Sequence, residues 1–192
     1  MNYAGNPLTS WAIGGLSLLR DLNLNNKAQE YQTKYKKAVV WGGGNVAMDC
    51  ARSLVRLLPE VHVVYRRSEA QMPADPKEIK AAREEGVQFD FLTNVSSIDL
   101  ENKTLHLVRM ELGEPDESGR ASFHEIPDSG FEEQVDLLVY AIGQKVDLSP
   151  FGELDPSIYL VGDAHLGPKT VAEAIADGKR VAMEIIKSFQ EE

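Results

Sequence analysis

Six consecutive residues, Gly42-Gly43-Gly44-Asn45-Val46-Ala47, follow the spacing G-x-G-x-x-A. That spacing suits the close approach of a polypeptide backbone to a phosphate. Gly42 permits a tight turn, Gly44 lets a pyrophosphate lie against bare backbone, and the small Ala47 lets a helix pack tightly on a strand. A second group capable of anion chemistry is the pair Arg66-Arg67, set between Tyr65 and Ser68. Guanidinium groups make charge-assisted, often bidentate hydrogen bonds to phosphate oxygens.

These residues need elements to hold them, and the surrounding sequence supplies them. Ala38-Val39-Val40-Trp41 predicts a strand ending at the glycines, Asn45 to Leu58 has helical periodicity, and Val61 to Tyr65 is a second β-rich run. Strand, glycine turn, helix and strand make one βαβ unit. In that setting the weak G-x-G-x-x-A signal becomes a dinucleotide-binding signature, with the N-terminal amides and positive dipole end of the helix aimed at the phosphates. Proteins that bind NAD or FAD usually place an acidic residue at the end of the second strand, where it accepts from ribose hydroxyls. Arg66 and Arg67 occupy that place here and match the 2′-phosphate of NADP; a solvated basic pair is the competing reading.

Elsewhere Asn2 to Ser10 reads as loop, Trp11 to Leu22 carries roughly helical apolar spacing interrupted by Gly14-Gly15, and Asn23 to Lys37 reads as a polar connector with a helical turn. Asp75 to Glu85 predicts a helix with Asp75 as cap, Pro76 in the first position, Glu78 reaching back in a capping box, and Gly86 as terminator. Gln88 to Thr93 predicts a third parallel strand. Thr104 to Leu112 and Ala121 to Ile126 predict an antiparallel pair around a turn at Pro115 to Gly119. Val135 to Ile142 and Ile158 to Val161 read as strands, Gly162 to Lys169 as loop, and Thr170 to Phe189 as helix. The fold expected is α/β, a Rossmann-like three-layer nucleotide-binding domain with a parallel sheet and an antiparallel β-meander. Its expected divisions are an N-terminal helical or linker segment 1–37, a nucleotide domain 38–144, and a remnant 145–192 of a second domain.

Composition limits the chemistry further. Of 192 residues, 43% are hydrophobic, enough for a buried core, and the net charge of -10 argues against a nucleic-acid surface. Cys50 is the only cysteine, which excludes an intrachain disulfide, a C-x-x-C pair and a cysteine-ligated iron–sulfur cluster. Any redox chemistry therefore runs through a bound organic cofactor. His62, His106, His124 and His165 show no metal-ligand spacing, and His62, inside an apolar strand, reads as a packed histidine. Glu84-Glu85 and Glu132-Glu133 read as solvated surface. With no basic n-region at the start and no apolar run long enough for a bilayer, a cytoplasmic location with no membrane contact is expected.

Several blocks together resemble the NADPH-dependent glutamate synthase small-subunit (beta-chain) family of FAD/NAD(P)-binding oxidoreductases, whose relatives include dihydropyrimidine dehydrogenase and iron–sulfur selenate reductase subunits. They are Val40 to Arg52, Val64 to Ser68 with Met72-Pro73-Ala74, Arg109 to Pro115, Ala141 to Gln144, Val161 to Ala164, and Gly167-Pro168 with Thr170 to Ile175. The resemblance implies that NADPH reduces FAD and that electrons pass on to iron–sulfur centres. It implies a pyrophosphate loop at Gly42, Gly43, Gly44, Asn45 and Val46, a 2′-phosphate clamp at Arg66 and Arg67, and a turn closing the NADP(H) site at Ala141, Ile142 and Gly143. It also implies a second flavin motif at Gly162 and Asp163, with Thr170 and Val171 near the flavin ring. The family's first FAD fingerprint and its cysteine-rich segments have no counterpart here, so the resemblance implies a C-terminal piece of a longer chain. Such a piece would work with flavin- and iron–sulfur-containing domains or subunits of a parent enzyme, or complete its flavin site across a homodimer. A stand-alone NADP(H)-binding or sensing module without catalysis is the alternative function.

Overall fold

The structure is a computed structural model and describes residues 8–115 and 121–190. The chain divides into two compact units between Gly143 and Gln144. In the first unit the elements are β1 (Ala12–Gly14), α1 (Gly15–Asn23), α2 (Ala28–Lys34), β2 (Lys37–Trp41), α3 (Asn45–Val55), β3 (Glu60–Tyr65), α4 (Pro76–Glu84), β4 (Gln88–Phe91), β5 (Thr93–Asp99), β6 (Thr104–Pro115), β7 (Ala121–Glu125), β8 (Phe131–Gln134) and β9 (Leu137–Tyr140). The second unit holds α5 (Asp163–Leu166) and α6 (Val171–Ser188).

Five strands form a wholly parallel sheet in the order β1-β9-β2-β3-β4. Its central strands read Ala-Val-Val, Val-His-Val-Val and Leu-Leu-Val because both faces are covered, as parallel sheets require. Ala38, Val39, Val40, Leu137, Leu138 and Val139 are completely buried. One face carries α3, which contacts β2, β3 and the flanking helices α1 and α4. The other face carries the antiparallel β5-β6-β7 meander, with β8 also paired to β6. Side chains alternate along a strand, so Lys37, Val39 and Trp41 share a face, and the hydrogen bond from Trp41 Nε1 to Asn94 Oδ1 (3.2 Å) identifies it as the meander side. The expected three-layer architecture is thus observed.

Several local expectations are corrected. The segment from Trp11 begins as strand, with β1 pairing β9 before the helix starts at Gly15. Leu16, Leu18, Leu19 and Leu22 impose helical periodicity, whereas the Gly14-Gly15 step marks the change of element. A Cβ on Gly15 would lie 3.0 Å from Val46 Cγ1 and 3.2 Å from Cys50 Sγ, so glycine lets α1 lie close to α3. Asp75 caps α4 by accepting from the Lys77 amide, but Glu78 does not reach back. It pairs instead with Arg52 of α3, which also binds Glu85. Glu85 and Glu133 are therefore not merely solvated: Glu85 holds Arg52 and Arg56, and Glu133 holds Lys37. After α4, Gly86 adopts φ +101 and donates to Arg83 O, and Val87 donates to Ala82 O, a Schellman ending. Asn23 to Lys37 contains the full helix α2. Phe131 to Gln134 and Thr93 to Asp99 are additional strands of the meander. Ile158 to Val161 forms no strand among the described residues. Its Ile158, Tyr159 and Val161 are exposed and no neighbouring strand offers backbone partners. The loop expected at Gly162 to Lys169 contains α5. The Pro115 to Gly119 turn lies largely outside the described residues, as does most of the Asn2 to Ser10 loop.

His62 sits between the layers in a charged cluster. Its Nδ1 is 2.8 Å from Asp90 Oδ2 and its Nε2 is 3.1 Å from Glu60 Oε1, while Lys37 bridges Glu60 and Glu133. The hydrogen bond to Asp90 raises the His62 pKa above its ordinary 6.5, against the opposing effect of burial. Because the folded-state value is the higher one, His62 contributes stability that is complete below the unfolded pKa and is lost as pH rises through the folded pKa. Chemical denaturation on both sides of this range should show the wild-type chain losing more stability with rising pH than a His62→Gln variant. Parallel pH profiles for the two would remove this assignment.

Candidate functional site

Three strands end side by side, and their connections meet. The Gly42 amide donates to Val64 O (3.0 Å) and the Ala141 amide to Trp41 O (2.8 Å), which prolongs both pairings past the last regular residues of β2. Gly42, Gly43, Gly44, Tyr65, Ala141 and the α3 N-terminus consequently share the C-terminal edge of the sheet, where open α/β folds place ligands.

The three glycines answer to three different constraints. Gly42 has φ +145, and a Cβ there would lie 2.2 Å from the carbonyl oxygen of Ala141. A Cβ on Gly43 would lie 2.6 Å from two ring carbons of Tyr65. Tyr65 is itself fixed by donation from its hydroxyl to Gln71 O (2.8 Å). At Gly44 the backbone is extended, with φ -92 and ψ 179, and a Cβ would meet no atom of the chain within 4 Å. Gly42 and Gly43 are thus required by the fold, while nothing in the chain's own packing or backbone angles demands glycine at Gly44. Sequence spacing alone assigned no separate role to Gly43; the signal was a third glycine where the pattern needs two.

Gly44 is the N-cap of α3 and supplies no side-chain cap. The first intrahelical bonds are those of Ala47 and Met48 to Gly44 O (2.9 and 3.2 Å), so the amides of Asn45 and Val46 precede the ladder at the positive end of the helix. Asn45 and Val46 are exposed. The Asn45 carboxamide oxygen accepts from the Asp75 amide (2.8 Å), and the Ala74 amide donates to Gly43 O (3.2 Å). The Met72-Pro73-Ala74 segment therefore braces the glycine loop from outside, a role for which the sequence offered only proximity to the arginines. Ala47 is completely buried, as its packing role requires.

Arg66 is exposed and Arg67 is buried, at 9%. Both guanidinium carbons lie over the ring of Phe123 on β7, at 4.2 Å for Arg66 and 4.8 Å for Arg67 from the centroid. Sequence reading missed Phe123, which is remote in the chain and arrives only through the pairing of β7 with β6. Ala141 and Ile142 are half-buried, and exposed Gly143 has φ +100 as the chain turns away from β9. Cys50 is buried and donates to Gly15 O at 3.5 Å, and burial pushes its thiol up to about 12, so it rests as the neutral thiol rather than the reactive thiolate. A cleft of about 460 Å³ lined by Leu19, Asp49, Arg52 and Arg56 runs between α1 and the C-terminal half of α3, away from the glycine loop. Its arginines are engaged by Glu78 and Glu85.

The remaining candidates lie in the second unit. Gly162 has φ +58, and its amide donates to Asp177 Oδ2 (2.9 Å). Asp177 is buried on α6, where it also meets Arg180 (2.8 Å) and His165 (3.1 Å). The Arg180 hydrogen bond, followed by those of His165 and the Gly162 amide, holds its pKa down at about 2. Asp177 was not anticipated, although it falls on the helical stripe Ala174-Asp177-Val181, where an apolar residue is the norm. Asp163 is exposed and accepts from the Lys169 amide (3.2 Å). Thr170 caps α6 reciprocally with Glu173, and Val171 beside it is 77% exposed.

Comparison with known proteins places this geometry in a family. Residues 12–178 match the profile of pyridine nucleotide-disulphide oxidoreductases. The chain belongs to that family. It is 41% identical over 196 aligned positions to the NADP(+)-dependent formate dehydrogenase subunit beta of Moorella thermoacetica, covering 90% of this chain and 27% of that protein. It is 33% identical over 176 positions to the glutamate synthase [NADPH] small chain of Escherichia coli, covering 77% of this chain and 37% of the relative. The chain thus spans well under half the length of these relatives. Among solved structures, Mycobacterium tuberculosis FprA in complex with NADPH superposes with a TM-score of 0.70 at 20% identity, covering 97% of this chain and 62% of that one, a likeness of fold. Among the described residues, no helix is long and apolar enough to cross a membrane and no cluster of His, Cys, Asp and Glu is arranged to hold a metal.

Proposed function

We propose that this chain binds NADP(H) at the sheet edge and that, in a longer flavoprotein, it presents the nucleotide for hydride transfer to FAD and onward transfer to iron–sulfur centres. The observation that carries the reading is Gly44: a glycine at the N-cap of an eleven-residue helix, with no packing or backbone-angle reason to be glycine. A pyrophosphate lying against that backbone supplies one. The amides of Asn45 and Val46 would hold its oxygens, and Gly42, Gly43, Ala141, Ile142 and Gly143 would shape the wall behind it. Arg66 and Arg67 would take the 2′-phosphate and leave the ribose of NAD without its usual carboxylate. The names of the two relatives, which specify NADP(+) and NADPH, support this choice of nucleotide.

When bound, the nicotinamide supplies a hydride and the flavin accepts it; the chain's own work is to bind, orient and exclude. In the second unit, Gly162 with Asp163 would meet the flavin's ribityl or phosphate region and Thr170 with Val171 its ring, on a backbone that Asp177 fixes from behind. Phe151, Ile158, Tyr159, Val171, Ile175, Met183, Ile186 and Phe189 are exposed there, which suits a unit that docks against further flavin- and iron–sulfur-bearing domains or subunits.

The test is the visible spectrum of the purified chain after incubation with FAD and removal of the excess, followed by anaerobic addition of NADPH. A retained flavin band that NADPH bleaches faster than NADH supports hydride transfer. A chain that binds NADPH but retains no flavin would favour a nucleotide-binding or sensing module and would overturn the flavin half of the proposal for this chain.

A further inference from the structure

The Arg66-Arg67 pair follows a strand and precedes a loop, and two adjacent guanidinium groups repel one another. Any contact that fixes their guanidinium groups before a 2′-phosphate arrives lowers the ordering cost that subtracts from affinity. The structure shows one such contact shared by both arginines. The centroid of the Phe123 ring lies 4.2 Å from the Arg66 guanidinium carbon and 4.8 Å from that of Arg67.

Its position is set by backbone pairing. The Leu92 amide donates to Arg67 O (3.1 Å) and the Met110 amide to Leu92 O (2.8 Å), tying the end of β3 to β6. The β6–β7 register then places Phe123 opposite Leu112 and Glu125 opposite Met110. The ring is half-buried and belongs to the meander, the layer that contributes no other candidate nucleotide contact.

A guanidinium stacked on an aromatic ring spends its face on the ring, while its N–H groups lie in the plane and point outward from the edge. Phosphate oxygens are recognised through that edge. A cation–π contact that leaves such N–H groups pointing away from the ring is compatible with phosphate binding and prepares it. Resting on the reading of Arg66 and Arg67 as the 2′-phosphate clamp, we propose that Phe123 is the positioning residue that sets the NADPH-over-NADH preference. It acts through the two arginines rather than by touching the nucleotide's reacting atoms.

The experiment is equilibrium titration of the full 192-residue chain, by nucleotide fluorescence, with NADPH and with NADH. Phe123→Leu should weaken NADPH binding about tenfold, the equivalent of two modest cation–π contacts. NADH binding should stay within about twofold of wild type, because no 2′-phosphate is involved. Phe123→Tyr, which keeps the ring face, should restore the preference. Thermal unfolding of each variant reports on the fold; if Phe123→Leu unfolds, Phe123→Met keeps similar bulk without a ring and should show the same tenfold loss. A Leu variant that keeps the wild-type NADPH/NADH ratio, or loses both nucleotides equally, would overturn the role of Phe123 alone. So would a Tyr variant as poor as Leu. A wild-type chain that binds both nucleotides equally would overturn the clamp itself, and the Phe123 role with it.

Discussion

Replacing Gly44 by Val is expected to abolish binding of NADPH and NADH alike, by about a hundredfold or more, while the chain stays folded. Both halves of the expectation follow from one position. The backbone at Gly44 is extended, a conformation that β-branched residues favour, and no atom of the chain lies within 4 Å of a Cβ there. Valine therefore costs the fold little. Its methyl groups would instead stand where a pyrophosphate has to approach the N-terminus of α3. Gly42→Ala in the same experiment gives the opposite result. A Cβ 2.2 Å from the Ala141 carbonyl oxygen, at φ +145, cannot be relieved by moving a flexible side chain. It should destabilise the chain by about 3 kcal/mol or more. Thermal unfolding beside nucleotide titration separates the two variants. A Gly44→Val protein that is folded and still binds either nucleotide would remove the pyrophosphate from this loop.

How far such a site can be read from sequence depends on whether its parts are local. The glycine loop, the strand before it and the helix after it are continuous in the chain, so spacing sufficed to place Gly42, Gly44 and Ala47. The Arg66-Arg67 pair was legible for the same reason, as the end of the next strand. The Asp75 cap and the Gly86 terminator were legible because capping is a property of neighbouring residues. Phe123, Tyr65 and Asp177 were not. Phe123 reaches the arginines through the β6–β7 pairing and the Leu92 link from β6 to the end of β3, and Tyr65 closes over Gly43 from another strand. Asp177 acts on Gly162 from two turns into α6. β1 was masked because its three residues adjoin a leucine-rich helix, and a strand that short has no periodicity of its own. Ile158 to Val161 erred the other way. Its composition is that of a strand, but a strand needs a partner, and none is available to it among the described residues.

The account rests on one claim above the rest, that Arg66 and Arg67 read the 2′-phosphate. Converting both to Ala removes at least two charge-assisted hydrogen bonds, each worth about 1.5–3 kcal/mol. Neither Ala should disturb the glycine loop, whose bracing runs through Tyr65, Ala74 and Asp75. The measurement is therefore the pair of dissociation constants for 2′-phospho-ADP-ribose and ADP-ribose, in the wild-type chain and in the double variant. The account predicts that wild type prefers the phosphorylated ligand by about a hundredfold or more, and that the double variant loses this preference while binding ADP-ribose as before. Equal losses for both ligands, or a wild-type chain that does not distinguish them, would contradict it.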